Sequence, residues 1–290
     1  MEFFLTFFCI ALLIFVILYW SYRILKKKFL FNHRLLAYFG KYFYNYYHSV
    51  KKVRHLRVSN YGYAPLDEDI FQLDPNHQHG LQLYKELVKN QKGFLIPEHS
   101  RVVEVGCGKG GGAEYLINRF NPGKYTGIDY AEKAIAFCNE QYTHIKNADF
   151  VCADAHHLPL AGNSVEVVIN VESSHIYKNI ERFLLEIHRI LKPGGKFLLT
   201  DYRIVKNYPI EMLENKIISS GFKISEKRII TPQVLEACMQ DSERRKQLID
   251  QHCPWYLKKY LRHFAILKGT KKSVMLANGE IIYFIYHLEK

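Results

Sequence analysis

Charge is absent from one stretch of this 290-residue chain: positions 3–22 read FFLTFFCIALLIFVILYWSY, without a single charged side chain. At about 1.5 Å per helical residue such a run can cross a ~30 Å hydrocarbon layer. Acidic residues are missing for longer, from position 3 to position 66, and ten of the 40 Lys and Arg fall between Arg23 and Arg57. Cysteine is sparse, six in all, and no pair has the C-x-x-C spacing of a metal site or a redox motif, so a zinc or disulfide framework is excluded and reduced thiols are expected. No metal is expected. No N-x-[ST] sequon occurs, in keeping with a cytosolic domain. No internal repeat or low-complexity tract stands out.

What is present then takes on meaning. Tyr19, Trp20 and Tyr22 close the apolar run, where amphipathic rings favour the interface, and Arg23, Lys26, Lys27 and Lys28 follow at once. A cleaved signal peptide would carry its basic residues in front, a shorter apolar core and a small-x-small site behind. The order here is reversed and the flank is bulky. Residues 1–22 are therefore expected to be a single-pass membrane anchor, with the rest of the chain in the cytosol by the positive-inside bias. Residues 23–57 form a basic juxtamembrane linker interleaved with Phe29, Phe31, Tyr38, Phe39 and Tyr42, suited to an anionic leaflet. Past residue 58 the charge nearly balances, so most of the net +12 sits beside the anchor and nucleic acid is not an expected partner.

From Arg101 onward the texture alternates. RVVEV (101–105), KYTGID (124–129), DFVCAD (149–154), SVEVVINVE (164–172) and GKFLLTDY (195–202) read as strands. AEYLINRF (113–120), AEKAIAFCNEQY (131–142) and IERFLLEIHRIL (180–191) read as helices. A further helical pattern covers 82–90, after a polar loop at 60–79. The helix at 180–191 is expected to stop at a Lys192-Pro193-Gly194-Gly195 turn. Residues 209–220 look helical, 222–230 extended, 232–267 like a charged helical insertion, and 279–288 like a final strand. Strands alternating with helices imply an α/β, Rossmann-like fold with a parallel sheet and helices on both faces.

The first strand turns into its helix through Glu104-Val105-Gly106-Cys107-Gly108-Lys109-Gly110-Gly111-Gly112. Glycine lets a backbone take positive φ and approach a ligand, and the helix start behind it offers free N–H groups. The next strand ends Gly127-Ile128-Asp129-Tyr130, where an acid accepts from ribose hydroxyls. Dinucleotides and S-adenosylmethionine share this logic. A pyrophosphate prefers a helix N-terminus without an acid before it. Glu104 instead suits the cationic amino-acid end of S-adenosylmethionine. Asp154, after the third strand, adds an acceptor for an adenine amino group, or is only a turn cap.

The segments VVEVGCGKGGG, GIDYA, Asp154 to Pro159 and HRILKPGGKFLLTDYR resemble successive motifs of class I S-adenosylmethionine methyltransferases over about 100 residues. Asn60-Tyr61-Gly62-Tyr63-Ala64-Pro65, GKGGGAEYL, Asn170 to Tyr177 and ERFLLEIHRILKPGG resemble the phthiotriolone and phenolphthiotriolone dimycocerosate methyltransferases and related fatty-acid O-methyltransferases, across residues 58–290. The anchor and linker are not part of that pattern, which leaves the substrate open. The resemblance implies a seven-stranded methyltransferase sheet with its last strand antiparallel. It implies contacts to S-adenosylmethionine from Glu104, Gly106, Gly108, Asp129, Tyr130, Asp154, Ala155 and Asn170. It also implies a catalytic segment around His175: in related sugar and polyketide O-methyltransferases a His here acts as base with an Asp after the fifth strand, which is Asp201 in this chain.

Transfer to an alcohol needs a base near neutral pKa, and His175 fits that task, with Asp201 or Glu172 orienting or charging it. Tyr63 and Tyr177 are expected in the substrate pocket, though core packing suits them equally. Domains are then 1–22 anchor, 23–57 linker and 58–290 methyltransferase, with its core at 100–202 and a candidate lid at 231–268. The expected reaction is O-methylation of a hydroxyl on a lipophilic or membrane-lipid substrate. Methylation of carbon or nitrogen on a sterol, quinone or other small molecule is the alternative, and a non-catalytic membrane scaffold the weakest reading.

Overall fold

A computed structural model describes residues 56–253 and 255–290, so the expected anchor at 1–22 and all but the end of the linker lie outside the described residues. Among the described residues no helix is long and apolar enough to cross a membrane.

In chain order the elements are helices α1 (Glu68–Phe71) and α2 (Gln78–Leu87), a small hairpin β1 (Lys89–Asn90) and β2 (Gly93–Phe94), then β3 (Arg101–Val105), α3 (Gly111–Phe120), β4 (Lys124–Asp129), α4 (Glu132–Gln141), β5 (Ala148–Cys152), β6 (Val165–Val171), a 3₁₀ turn (Ser174–Ile176), α5 (Ile180–Ile190) and β7 (Leu191–Ile204). The chain continues through α6 (Ile210–Ser219), β8 (Lys223–Ile229), α7 (Thr231–Gln240), α8 (Ser242–His252), α9 (Trp255–Phe264), α10 (Lys271–Ala277) and β9 (Ile281–Glu289).

The large sheet has the order β5-β4-β3-β6-β7-β9-β8. Neighbours are parallel from β5 to β7, and β9 runs antiparallel to both β7 and β8. Side chains alternate across each strand, so Val102 joins one apolar layer with Leu116 and Ile135 while Val103 and Val105 join the other with Phe183 and Ile187. Helix α5 shows how sequence makes these layers. Phe183, Leu184, Ile187 and Ile190 recur at helical spacing and are buried, and the Asn179 side chain caps the start by accepting from the Arg182 N–H.

The order reverses between β3 and β6. The carboxyl ends of the strands at such a reversal are where open α/β sheets bind ligands.

Three elements differ from expectation. The helix expected at 82–90 runs from Gln78 to Leu87, because Val88 already pairs with the hairpin through Leu95 N–H donating to its carbonyl at 2.8 Å. The Lys192-Pro193-Gly194-Gly195 turn is a bulge inside β7. The register steps from Val165 opposite Leu191 to Val167 opposite Lys196, so four residues crowd opposite Glu166. Pro193 has no N–H to give to a ladder and Gly194 sits at φ +74°, while Lys290 closes the bulge, accepting from Gly194 at 3.0 Å and donating to Gly195 at 3.1 Å. Finally, the helical insertion consists of α7, α8 and α9, and α10 follows before the last strand. Trp255, at the head of α9, is 84% exposed.

Candidate active site

The glycine loop leaves β3 and meets the segment leaving β6. At Gly106, φ is +82° and a Cβ would collide with the Ser173 side chain and press on the Tyr177 hydroxyl at 3.3 Å. Only glycine lets the two segments close on each other here. Gly112 plays a similar part beneath the loop: a Cβ would strike the ring of Tyr84. That ring must lie close, since its hydroxyl donates to Glu104.

Glu104 shares its sheet face with Val102 and is fully buried, its two oxygens accepting from the Tyr84 and Tyr125 hydroxyls at 2.5 Å each. Burial pushes its carboxyl up to about 7, against the pull of those hydroxyls. Each Glu104 oxygen thus accepts from one tyrosine below the loop, and a carboxylate with about four acceptor sites keeps capacity for the cationic ligand expected there.

Asp129 ties the loop from the side, accepting from Gly108 N–H at 2.9 Å and from Ala131 N–H at 2.8 Å. A carboxylate has about four acceptor sites, so capacity remains for a ligand hydroxyl. Tyr130 beside it is exposed, and Ala155 is buried. Asp154 accepts from the backbone N–H of His156 at 2.9 Å and contacts its Nδ1 at 2.6 Å, so it both caps its own loop and remains half-exposed. Asn170 is buried. Its amide donates to Val105 O (2.8 Å), Ser173 Oγ (2.7 Å) and Tyr177 Oη (3.2 Å), while Oδ1 has no partner among the described residues. A buried acceptor left open beside a glycine cradle fits a ligand that brings its own donors, such as an amino-acid end and a ribose.

The second half of the site lies at the ends of β6 and β7. His175 Nδ1 lies 2.8 Å from Asp201 Oδ1, and the other Asp201 oxygen accepts from His175 N–H at 2.9 Å and from Ser174 Oγ at 2.5 Å. Arg203 stands 3.5 Å from the same oxygen and donates to Ser174. Burial would raise the Asp201 carboxyl, but His175, Arg203 and Ser174 together hold it far below the usual carboxylate range. The ionised Asp201 fixes the imidazole through Nδ1, and Nε2 has no hydrogen-bond partner among the described residues. The ring is 20% exposed and rests on the Tyr202 ring, centroids 4.5 Å apart.

Glu172 stands between the halves, with φ at +46°, a conformation that costs a non-glycine residue energy. Its carboxylate accepts from Tyr61 N–H at 2.6 Å and from the Tyr283 hydroxyl, and burial raises it to about 7.

The two tyrosines expected in the pocket have these surroundings. Tyr63 pairs with His79 through its backbone and lies among Glu86, Arg228 and Asp67, and across the turn at Gly62 (φ +85°) Tyr61 meets Glu172 and Lys272. Tyr177 is tied to Ser173 and Asn170 beneath Gly106. Tyr61 and Tyr202 lie inside segments that carry the family resemblance but were not singled out there, and Tyr283 and Lys272 carry no spacing signal.

Comparison with known proteins identifies the family and the fold. The sequence model of the family described as a methyltransferase domain matches residues 103–199. The phthiotriol/phenolphthiotriol dimycocerosates methyltransferase of Mycobacterium tuberculosis is 37% identical over 190 residues, covering 66% of this chain and 69% of that protein. The fatty-acid O-methyltransferase of Mycolicibacterium smegmatis is 33% identical over 208 residues, covering 71% and 73%. This chain belongs to their family, the S-adenosylmethionine-dependent methyltransferases. Solved structures show the same fold at low identity. The Mycobacterium tuberculosis cyclopropane synthase MmaA2 aligns with TM-score 0.61 at 14% identity, covering 84% of this chain and 95% of that one. The Haemonchus contortus phosphoethanolamine N-methyltransferase 2, in complex with S-adenosyl-L-methionine, aligns with TM-score 0.57 at 21% identity, covering 73% and 56%. The methyltransferase uses S-adenosylmethionine, and the site from Gly106 to Asn170 has the cradle and the open acceptors to hold it.

Proposed function

We propose that this methyltransferase transfers a methyl group to a hydroxyl oxygen of a lipophilic substrate, with His175 as the general base. The observation that carries the reading is the pairing of His175 Nδ1 with a buried, ionised Asp201, one strand from the glycine loop. S-adenosylmethionine, when bound, supplies an electrophilic methyl on a sulfonium sulfur. Asp201 holds the imidazole in the tautomer whose Nε2 accepts a proton, and Nε2 takes the proton of the substrate hydroxyl. The resulting imidazolium is stabilised by Asp201. General-base help of this kind contributes about 10²–10⁴-fold. Glu172 positions Tyr61 and Tyr283 against the dyad. Gly106, Gly108, Asp129, Tyr130, Asp154, Ala155 and Asn170 hold the methyl donor, and Glu104 supports the loop from below.

The lipid character of the substrate is carried over from the two relatives' names, a dimycocerosates and a fatty-acid methyltransferase. It agrees with a chain whose first 22 residues read as a membrane span and whose next 35 read as a partner for an anionic leaflet, at about 1 kcal/mol per basic residue near the surface. The catalytic domain then faces the cytosol, and helices α7 to α9 form a lid over a substrate drawn from the bilayer.

The test uses the full-length chain in detergent micelles with methyl-labelled S-adenosylmethionine and a total lipid extract, reading label in the organic phase. Label that vanishes in His175→Ala and Asp129→Ala supports the reading, and mass spectrometry then names the methylated oxygen. Label retained by His175→Ala removes the base and favours transfer to carbon or nitrogen.

A further inference from the structure

Helix α10 begins at a Thr270 cap and turns Ser273 and Leu276 inward. Lys272 shares that inward side. Its neighbour Lys271 is exposed, whereas Lys272 is partly buried. Its Nζ donates to the hydroxyls of Tyr61 at 2.7 Å and Tyr202 at 3.3 Å, and lies 4.7, 4.5 and 5.7 Å from the ring centroids of Tyr61, Tyr202 and Phe264. Three aromatic faces attract an ammonium through their quadrupoles. None of them carries negative charge, and no carboxylate among the described residues lies within ion-pair distance of Nζ.

An ammonium taken from water without a counter-ion is costly. Burial accordingly lowers the proton affinity of Lys272, with Glu172, Cys238 and Asp201 pulling the other way from a greater distance. An ammonium has three donors, and the two phenols take two of them. The third remains for a ligand. The Tyr202 ring that carries Nζ also supports the His175 imidazole, so one tyrosine separates the cation from the base.

We propose that Lys272 receives a carboxylate of the substrate, so that the substrate class is a long-chain hydroxy acid, with its carboxylate on Lys272 and its hydroxyl on His175. The inference rests on the reading of His175 as the base at a hydroxyl acceptor. A single cation with one donor to give, set among apolar rings, matches a singly charged carboxylate. A phosphate dianion would ask for more donors than the box holds. The placement also explains why a charged residue stays on the inward side of a short helix: its counter-ion arrives with the substrate.

The experiment is calorimetry on the full-length chain in neutral detergent with S-adenosylhomocysteine present. It compares 2- and 3-hydroxyhexadecanoate with 1,2- and 1,3-hexadecanediol, the same skeletons with the carboxylate replaced by a neutral alcohol. The acids should bind about 10- to 100-fold more tightly than the diols, the range of a charge-assisted hydrogen bond. Lys272→Met, which fills the box without charge, should erase that preference while leaving diol and S-adenosylhomocysteine affinities unchanged and Tm equal or higher. Equal binding of acid and diol by the wild type overturns the proposal, as does a preference that survives Lys272→Met. A fall in Tm with equal loss of all ligands assigns Lys272 to structure and also overturns it. So does a methyl ester as the product in place of a methyl ether. A chain that keeps the Lys272-dependent preference yet labels no lipid fails the methylation reading, not this one.

Discussion

His175 and Asp201 form a pair whose value depends on which nitrogen is engaged. With Nδ1 held by a buried carboxylate, Nε2 is the end left for a substrate proton. His175→Ala should lower kcat by about 10²–10⁴-fold and leave S-adenosylmethionine affinity within about twofold, a split read by labelled transfer and calorimetry side by side. Glu104 gives a prediction of a different kind. Its carboxyl is raised from 4.5 to about 7, so the folded chain keeps a proton that the unfolded chain releases. That stabilisation is fully present below pH 4.5 and is lost as pH rises through 7. At about 1.36 kcal/mol per pKa unit, it amounts to at most ~3 kcal/mol over that window. Glu104→Gln should flatten the decline, measured as urea midpoints in a pH series. A slope unchanged by the substitution would mean that Glu104 is ionised throughout. At this scale motifs pointed to His175, Asp201 and Asp129, and the structure sets His175 against Asp201 and Asp129 against the glycine loop. The sequence was silent on Tyr84 and Tyr125, because burial turns a motif acid inward and nothing local marks its partners. Lys272 was hidden for the opposite reason: a Lys-Lys pair on a short helix reads as solvated.

At the scale of elements the glycine loop and helices α7 to α9 are open to test. Gly106→Ala forces a Cβ into Ser173 at a backbone angle that L side chains rarely adopt. It should weaken S-adenosylmethionine binding by at least about tenfold and cost about 1–3 kcal/mol in stability, measured by calorimetry and urea unfolding. If α7 to α9 close over a lipid, amide exchange across residues 231–264 should slow when a lipid substrate and S-adenosylhomocysteine are added together, and unchanged exchange would make these helices fixed packing. The strands and crossover helices were legible because each follows a plain period, two for strands and 3.6 for helices. The Pro-Gly-Gly segment misled for a physical reason. Those residues do break local order, but the partner that absorbs the break, Lys290, lies about 95 positions away in the chain.

At the scale of the whole molecule, the sequence predicts an anchor, a basic strap and a catalytic domain in series. Deleting residues 1–22 should leave S-adenosylmethionine affinity intact and cut transfer to lipids presented in anionic vesicles. The same deletion should have little effect on a lipid dispersed in detergent. If the basic linker holds to the leaflet, raising salt should reproduce part of the loss in the intact chain, since such attraction is screened within a Debye length of about 10 Å at 0.1 M. The fold was readable over this span because alternating strands and helices admit few topologies. The substrate was not, because specificity resides in side chains that the fold assembles from distant segments.

Trp255 gives the molecule a built-in optical reporter. The sequence holds two tryptophans, Trp20 in the apolar run and Trp255 on the catalytic domain, so Trp20→Phe leaves one indole in the whole chain. That indole stands in water at the head of α9, and its emission should therefore be red-shifted and open to quenching by iodide or acrylamide. Any event that covers the end of this helix, whether a bilayer surface or a closing neighbour, will move the emission towards the blue in real time, without a label.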